Sequence, residues 1–149
     1  MKANTLPGIF KVEYVDSKDL ILYPRQKLTP KSTTTALGSF VSLPLVGLAS
    51  LSYTNEPTPA GTIYNCVLSG ILLDTDKSNK TVRQKLIDNT HAYRVSDVYG
   101  NKYLIGIDEA PFPEPVFTHV IDNLPTGLRG IEFQINWIST LPPVELVIL

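Results

Sequence analysis

Few residues of this chain have the means to do chemistry: two histidines, one cysteine and a short run of oxygen-bearing side chains. His91 and His119 stand apart, without the Cys, His or carboxylate neighbours that would complete a set of about four zinc ligands. Each reads as a structural or surface residue. Cys66 alternates with Tyr64 and Leu68, which makes it a small core residue before it is a nucleophile. Asp74, Asp76 and Ser78 have the spacing that opens a calcium loop. Yet the sixth position is Asn79 where the turn needs Gly, and the twelfth is Lys85 where a bidentate Glu belongs. Acidic residues ahead of a helix N-terminus explain the run more simply. Gly127 and Gly130 in "LPTGLRG" are turn glycines rather than a phosphate loop, and no serine sits in a nucleophile elbow. The expectation is a protein without catalytic residues, cofactor or metal.

Composition narrows the class. A chain of 149 residues fits one domain spanning 1–149. It is 43% hydrophobic and only 18% charged, below the usual charged share of about 25%, so its surface is neutral and polar or covered by other chains. A net charge of −1 gives no field for steering nucleic acid. One cysteine allows no internal disulfide, and "MKANTLPGIF" has no apolar run of signal-peptide length before Pro7, so cytosolic synthesis is expected. From Thr33 to Asn55 there is no charged side chain. Pro44, Gly47 and four serines interrupt that stretch too often for a membrane helix. As a strand it sorts better: Leu43, Leu45, Ala49, Leu51 and Tyr53 fall on one face, and Ser42, Pro44, Val46, Leu48, Ser50 and Ser52 on the other. Pro44 removes a ladder donor, so the first half of the stretch should be an edge or bulged strand.

Other segments alternate in the manner of antiparallel strands with one dry side. In "GIFKVEYVD", Phe10, Val12 and Tyr14 oppose Lys11 and Glu13. In "GIEFQINWIST", Ile131, Phe133, Ile135 and Trp137 oppose Glu132, Gln134 and Asn136. "GTIYNCVLSGILLD" is apolar on both faces and reads as a central strand. "HAYRVSDVYGNKYLIGI" reads as a hairpin turning at Val98 to Asn101. One helix is expected, capped by Ser78 or Asn79, with Val82, Leu86 and Ile87 on one face and Lys80, Arg83 and Lys85 on a basic one. "APFPEPVF" sets Pro111, Pro113 and Pro115 at alternate positions and reads as an extended border segment. Residues 20–35 mix apolar, proline and cationic residues without period, and the first 35 residues suggest an extended N-terminal arm. The apolar "LPPVELVIL" must dock on its own sheet or on a neighbouring subunit. The fold class is mainly β: an antiparallel β-sandwich or barrel-like domain with one α-helix and extended arms.

From Leu43 to Pro142 the order of these features resembles a family of small structural proteins of tailed bacteriophages and prophages of gut bacteria, crAss-like phages included. "LPLVGLASLSYTNEPTPAGTIYNCVLSGIL" resembles the family's strand pair. "VRQKLIDNTHAYRVSDVYGNKYLIG" resembles its helix followed by a D-x-x-G-N hairpin, and "GLRGIEFQINWISTLPP" its closing strand. The resemblance implies a virion component: a ring-forming subunit of the head–tail connector or tail, assembled in the host cytoplasm, with homo-oligomeric contacts and contacts to portal, neck or tail proteins. It brings no active-site residues. DNA would at most pass through such a ring.

The uncharged face of residues 40–53, the apolar "LPPVELVIL" segment and the proline-bordered segment agree with a subunit that other copies cover. Phe40, Val46, Leu48, Phe112, Phe117 and Leu146 are the interface candidates, ordinary core packing being the alternative for each. The second reading is a carbohydrate- or surface-binding β-sandwich module, with Tyr23, Tyr53, Tyr99, Tyr103 and Trp137 stacking on sugars. Trp137 lies on the apolar face of its strand, which favours burial.

Overall fold

The structure, a computed structural model, describes residues 3–23, 28–29, 33–73, 77–119 and 130–146. Among them the fold is mainly β, with one helix. The strands are β1 (Ala3–Asp16), β2 (Ile21–Tyr23), β3 (Thr33–Leu37), β4 (Val41–Ser42), β5 (Ala49–Thr58) and β6 (Gly61–Leu73), then after α1 (Lys77–Asp88) β7 (His91–Asp97), β8 (Lys102–Ile105), β9 (Glu114–His119), β10 (Gly130–Ser139) and β11 (Val144–Leu146). All join one sheet in the order β2-β3-β11-β8-β7-β1-β5-β6-β10-β9, with β4 attached to β1 outside that path. Every pairing is antiparallel except β3 with β11. The sheet curls into a half-barrel around one apolar cluster.

β1 makes the curl possible. Its first half pairs with β5, from Ala3↔Thr54 to Ile9↔Ala49, and its second half with β7, from Ile9↔Asp97 to Asp16↔His91. β4 takes the edge that β5 leaves free, through Glu13↔Ser42 and Tyr14↔Val41. The register shifts between Leu6 and Ile9 on one side and between Ile9 and Lys11 on the other. Such bulges bend a strand and let it pass from one half of a sheet to the other. Gly8 supplies the positive φ of 80° at this bend, where an added Cβ would lie 3.2 Å from a methyl of Val98. A bulge also inverts side-chain parity. Phe10, expected beside Val12 and Tyr14 in the dry row, therefore points outward, while Val12 and Tyr14 are buried.

Glu13 is the second departure. Read as wet by alternation, its side chain is 7% exposed and forms a bidentate pair with Arg94, at 3.0 Å to Nε and 2.9 Å to Nη2. The Phe40 ring covers the guanidinium, 3.9 Å from its carbon to the ring centroid. Both faces of β7 are thus occupied: Tyr93 and Val95 lie on the side of Tyr14 and Val12, Ala92 and Arg94 on the side of Val15 and Glu13.

The charge-free stretch is not one strand. It runs through β3, β4 and a bend into β5. Residues 44–46 continue the ladder beside β6: Val46 N–H donates to Ile71 O at 2.8 Å, and Leu73 N–H to Pro44 O at 2.8 Å. The facial sorting holds, with Leu43, Ala49 and Leu51 buried and Ser42, Pro44, Leu48 and Ser50 exposed. The first half is an edge strand broken at Pro44 and Gly47, as a missing donor requires.

β7 and β8 form the expected hairpin, closed by a side chain that alternation does not reveal. The buried Asp97 carboxylate accepts Tyr99 N–H at 2.9 Å, Asn101 N–H at 2.8 Å and the Asn101 amide at 3.3 Å. Asp97→Ala leaves those donors short of an acceptor and is expected to cost about 2–3 kcal/mol. Urea unfolding should show a lowered midpoint at unchanged slope.

In α1, Leu86 is buried and Val82 packs against the core, but Ile87 is exposed. Arg83 corrects the basic-face reading: three residues before Leu86, it shares the inward side and is buried, leaving Lys80 and Lys85 outside. The arm reading of residues 1–35 is also corrected for their described part. They hold the shared strand β1, then β2 and the start of β3, with Leu20, Leu22 and Thr34 buried. The C-terminal segment docks on its own sheet as β11, between β3 and β8. Pro115 lies in β9, which among the described residues pairs with β10 alone and ends the sheet, a position that tolerates a missing donor.

Candidate assembly surface

The outer face of β5, β6, β10 and β9 is built by alternation. Leu51, Leu68, Ile135 and Phe117 share the inner register, so the residues between them turn out. One row across the strands reads Ser50, Ser69, Gln134, Val116, the next Ser52, Val67, Asn136, Glu114. A third sets Ile71, Glu132 and Thr118 side by side. The Ser50 and Ser69 hydroxyls are 3.1 Å apart. Among the described residues this face carries glutamates, Glu56, Glu114 and Glu132, and no Lys or Arg.

An open groove of about 560 Å³ runs over it, floored by Ser50, Ser69, Gly70 and Gln134 and walled by Leu48 at one end and Val116 at another. Gly70 faces the core beneath the floor, opposite Phe133. An added Cβ would sit 2.9 Å from the Phe133 ring and 3.0 Å from the Ala49 Cβ. Leu48 is 60% exposed and Val116 52%. Gly8 also lines the groove, which carries the apolar surface on toward exposed Val98 and Tyr99. Exposed apolar groups rimmed by neutral polar ones mark surfaces that meet other molecules.

The interface candidates divide. Leu48 stands at the groove, and Val46 lies half-buried beside it on the β6 ladder. Phe40 covers Arg94, Phe117 and Leu146 pack on the chain's own core, and Phe112 is half-buried. Val116 and Ile138 are exposed apolar residues of this face outside the candidate set. The signal was there, since the alternation that buries Trp137 turns Ile138 out, 58% exposed.

Among the described residues, Cys66 and His91 are buried away from this face. Burial pushes the Cys66 thiol up to about 12, which favours the protonated form of a core residue. His91 is buried edge-on to Tyr14, its ring nitrogen Nδ1 3.1 Å from Asn89 O. Burial pulls it below the ordinary histidine range, against the opposing effect of that carbonyl. Among the described residues no cluster of His, Cys, Asp or Glu is placed to hold a metal, and no helix is long and apolar enough to cross a membrane. Asp74 and Asp76 lie outside the described residues.

No family model, no curated protein and no solved structure matches the chain.

The aromatic residues do not form a sugar platform. Trp137 is fully buried, its indole N–H donating to Pro111 O at 3.0 Å. Tyr53 and Tyr103 pack against the core. Tyr23 and Tyr99 are exposed, but on β2 and on the β7–β8 turn.

Proposed function

We propose that this chain is a non-enzymatic structural subunit of a bacteriophage virion, assembling with copies of itself into a ring of the head–tail connector or tail and joining other phage structural proteins there. The observation that carries the assembly part is the outer face of β5, β6, β10 and β9, grooved, set with exposed Leu48, Val116 and Ile138, and bearing glutamates among neutral polar residues. The virion setting rests on the resemblance of residues 43–142 alone. Among the described residues the sheet ends in β2, only three residues long, and in β9, which carries Pro115, so its edges are blunted and the assembly contact falls to the outer face. A contact between unlike surfaces repeats head to tail and closes into a ring when the rotation allows. Each copy would need to bury roughly 800 Å² per contact for a stable assembly. Native mass spectrometry and light scattering over a range of concentrations test this. A multiple of 16.5 kDa is the expected result. A monomer at every concentration, unchanged by the products of neighbouring genes, would refute it.

A further inference from the structure

His91 stands at the joint between α1 and β7, 1% exposed, with a partner for one ring proton and not for two. Its Nδ1 lies 3.1 Å from Asn89 O, and a carbonyl only accepts, so the proton of the neutral ring sits on Nδ1. Nε2 is buried and, among the described residues, has no hydrogen-bond partner. A second proton would add an N–H without an acceptor and a charge without water. The charged groups around the ring pull both ways. Burial disfavours the cation most; Asn89 O and Asp16, the ladder partner on β1, favour it, and Lys85 of α1 opposes it. Burial wins, and holds the ring below the ordinary histidine range. Tyr14 of β1 and Tyr93 of β7 lie on the same face and are raised by burial, so both stay neutral. Arg83, also on α1 and buried, lies against Leu43 and Leu72.

The helix depends on this joint. α1 is 12 residues long, has no acid in its first turn and meets the sheet through Val82, Arg83 and Leu86. A helix of that length is marginal in water on its own. Beyond it, Asn89 N–H returns to Lys85 O and Ser17 N–H donates to Thr90 O, each at 3.2 Å, which ties the end of α1 to the end of β1 beside the imidazole. We propose that His91 is an acid-sensitive latch: a proton taken up at Nε2 drives the ring out to water, unseats the last turn of α1 and uncovers the apolar surface of Leu72 and Leu86. The opened chain, with its histidine near the ordinary 6.5, binds the proton before the closed one does. The latch is therefore fully closed above that pH and weakens as pH falls from there toward the lower value of the closed state. The device lies within one chain and goes beyond the subunit reading, with or without assembly.

Amide exchange on the full chain, corrected for the intrinsic effect of pH, tests it. From about pH 7.5 to about pH 5.5 the protection of Leu86, Ile87 and Asp88 is expected to fall about three- to tenfold, while that of β6 and β10 holds. His91→Asn keeps a donor for Asn89 O and takes up no proton, so its α1 protection should be the same at both ends of that range. In proton NMR, the ring signal that this variant removes should titrate below 6.5 in the unaltered chain. A ring signal titrating at or above that value, α1 protection that ignores the pH change, or an equal acid loss in His91→Asn overturns the latch. The α1 protection is read on the unaltered chain, so it decides even where His91→Asn fails to fold.

Discussion

Arg94→Ala is expected to cost about 3–5 kcal/mol, because it removes one partner of a buried ion pair and strands the other. Glu13 would keep only Lys11, 3.9 Å away and about half exposed, and Phe40 would lose the cation beneath its ring. A domain of this size is stable by about 5–15 kcal/mol, so the loss is a large part of the total. Urea unfolding followed by circular dichroism measures it. The paired change Glu13→Leu with Arg94→Met fills similar volume without charge and should recover most of the loss. If the double variant is no better than Arg94→Ala, the pair is not the cause. The register Glu13↔Arg94 ties β1 to β7 at the half of the sheet where β4 also attaches, so the same variant should loosen the 38–43 segment that Phe40 holds down.

Trp137→Ala is expected to cost about as much, 3–5 kcal/mol, through lost burial and the cavity left behind. Trp137 is among the largest fully buried side chains, and it lies directly opposite Cys66 of β6. Its indole N–H fastens the 110–113 segment at Pro111, where Pro113 packs over Gly106 so closely that an added Cβ would come within 2.6 Å of the proline ring. Trp137→Phe keeps most of the apolar volume, drops that hydrogen bond and should cost about 1–2 kcal/mol. In the unaltered chain, emission from this single tryptophan should be blue-shifted, shielded from acrylamide and indifferent to added oligosaccharides. Strong quenching would contradict the burial and reopen the sugar-binding reading.

How much of this was legible follows from which force sets each feature. Where one face is dry and the other wet, as in β10, period-two alternation reports the fold directly. It failed at Phe10 and Glu13 for separate reasons. The bulge beside Gly8 adds a residue that no hydropathy pattern announces, and Glu13 goes inside because a cation 81 positions away meets it. Arg83 misled in the same way, since a charged side chain reads as solvated until the packing around it is known. The β2–β3 pair looked like an arm because strands so short leave no periodic signal. Leu48 was legible as an exposed apolar residue, but the groove beside it was not. Four strands remote in sequence must align before Ser50, Ser69, Gln134 and Val116 share a row.

The parallel pairing of β11 with β3 has a consequence for how the molecule holds together. Among the described residues, β2 and β3 reach the rest of the hydrogen-bond ladder through Glu145↔Thr33 and Leu146↔Thr34. Two segments far apart in sequence must therefore meet late, after the entropy of a long loop has been overcome. Once joined, the three strands are expected to open as one cooperative unit, their amide protons exchanging with solvent on a common clock faster than those of β6 and β10.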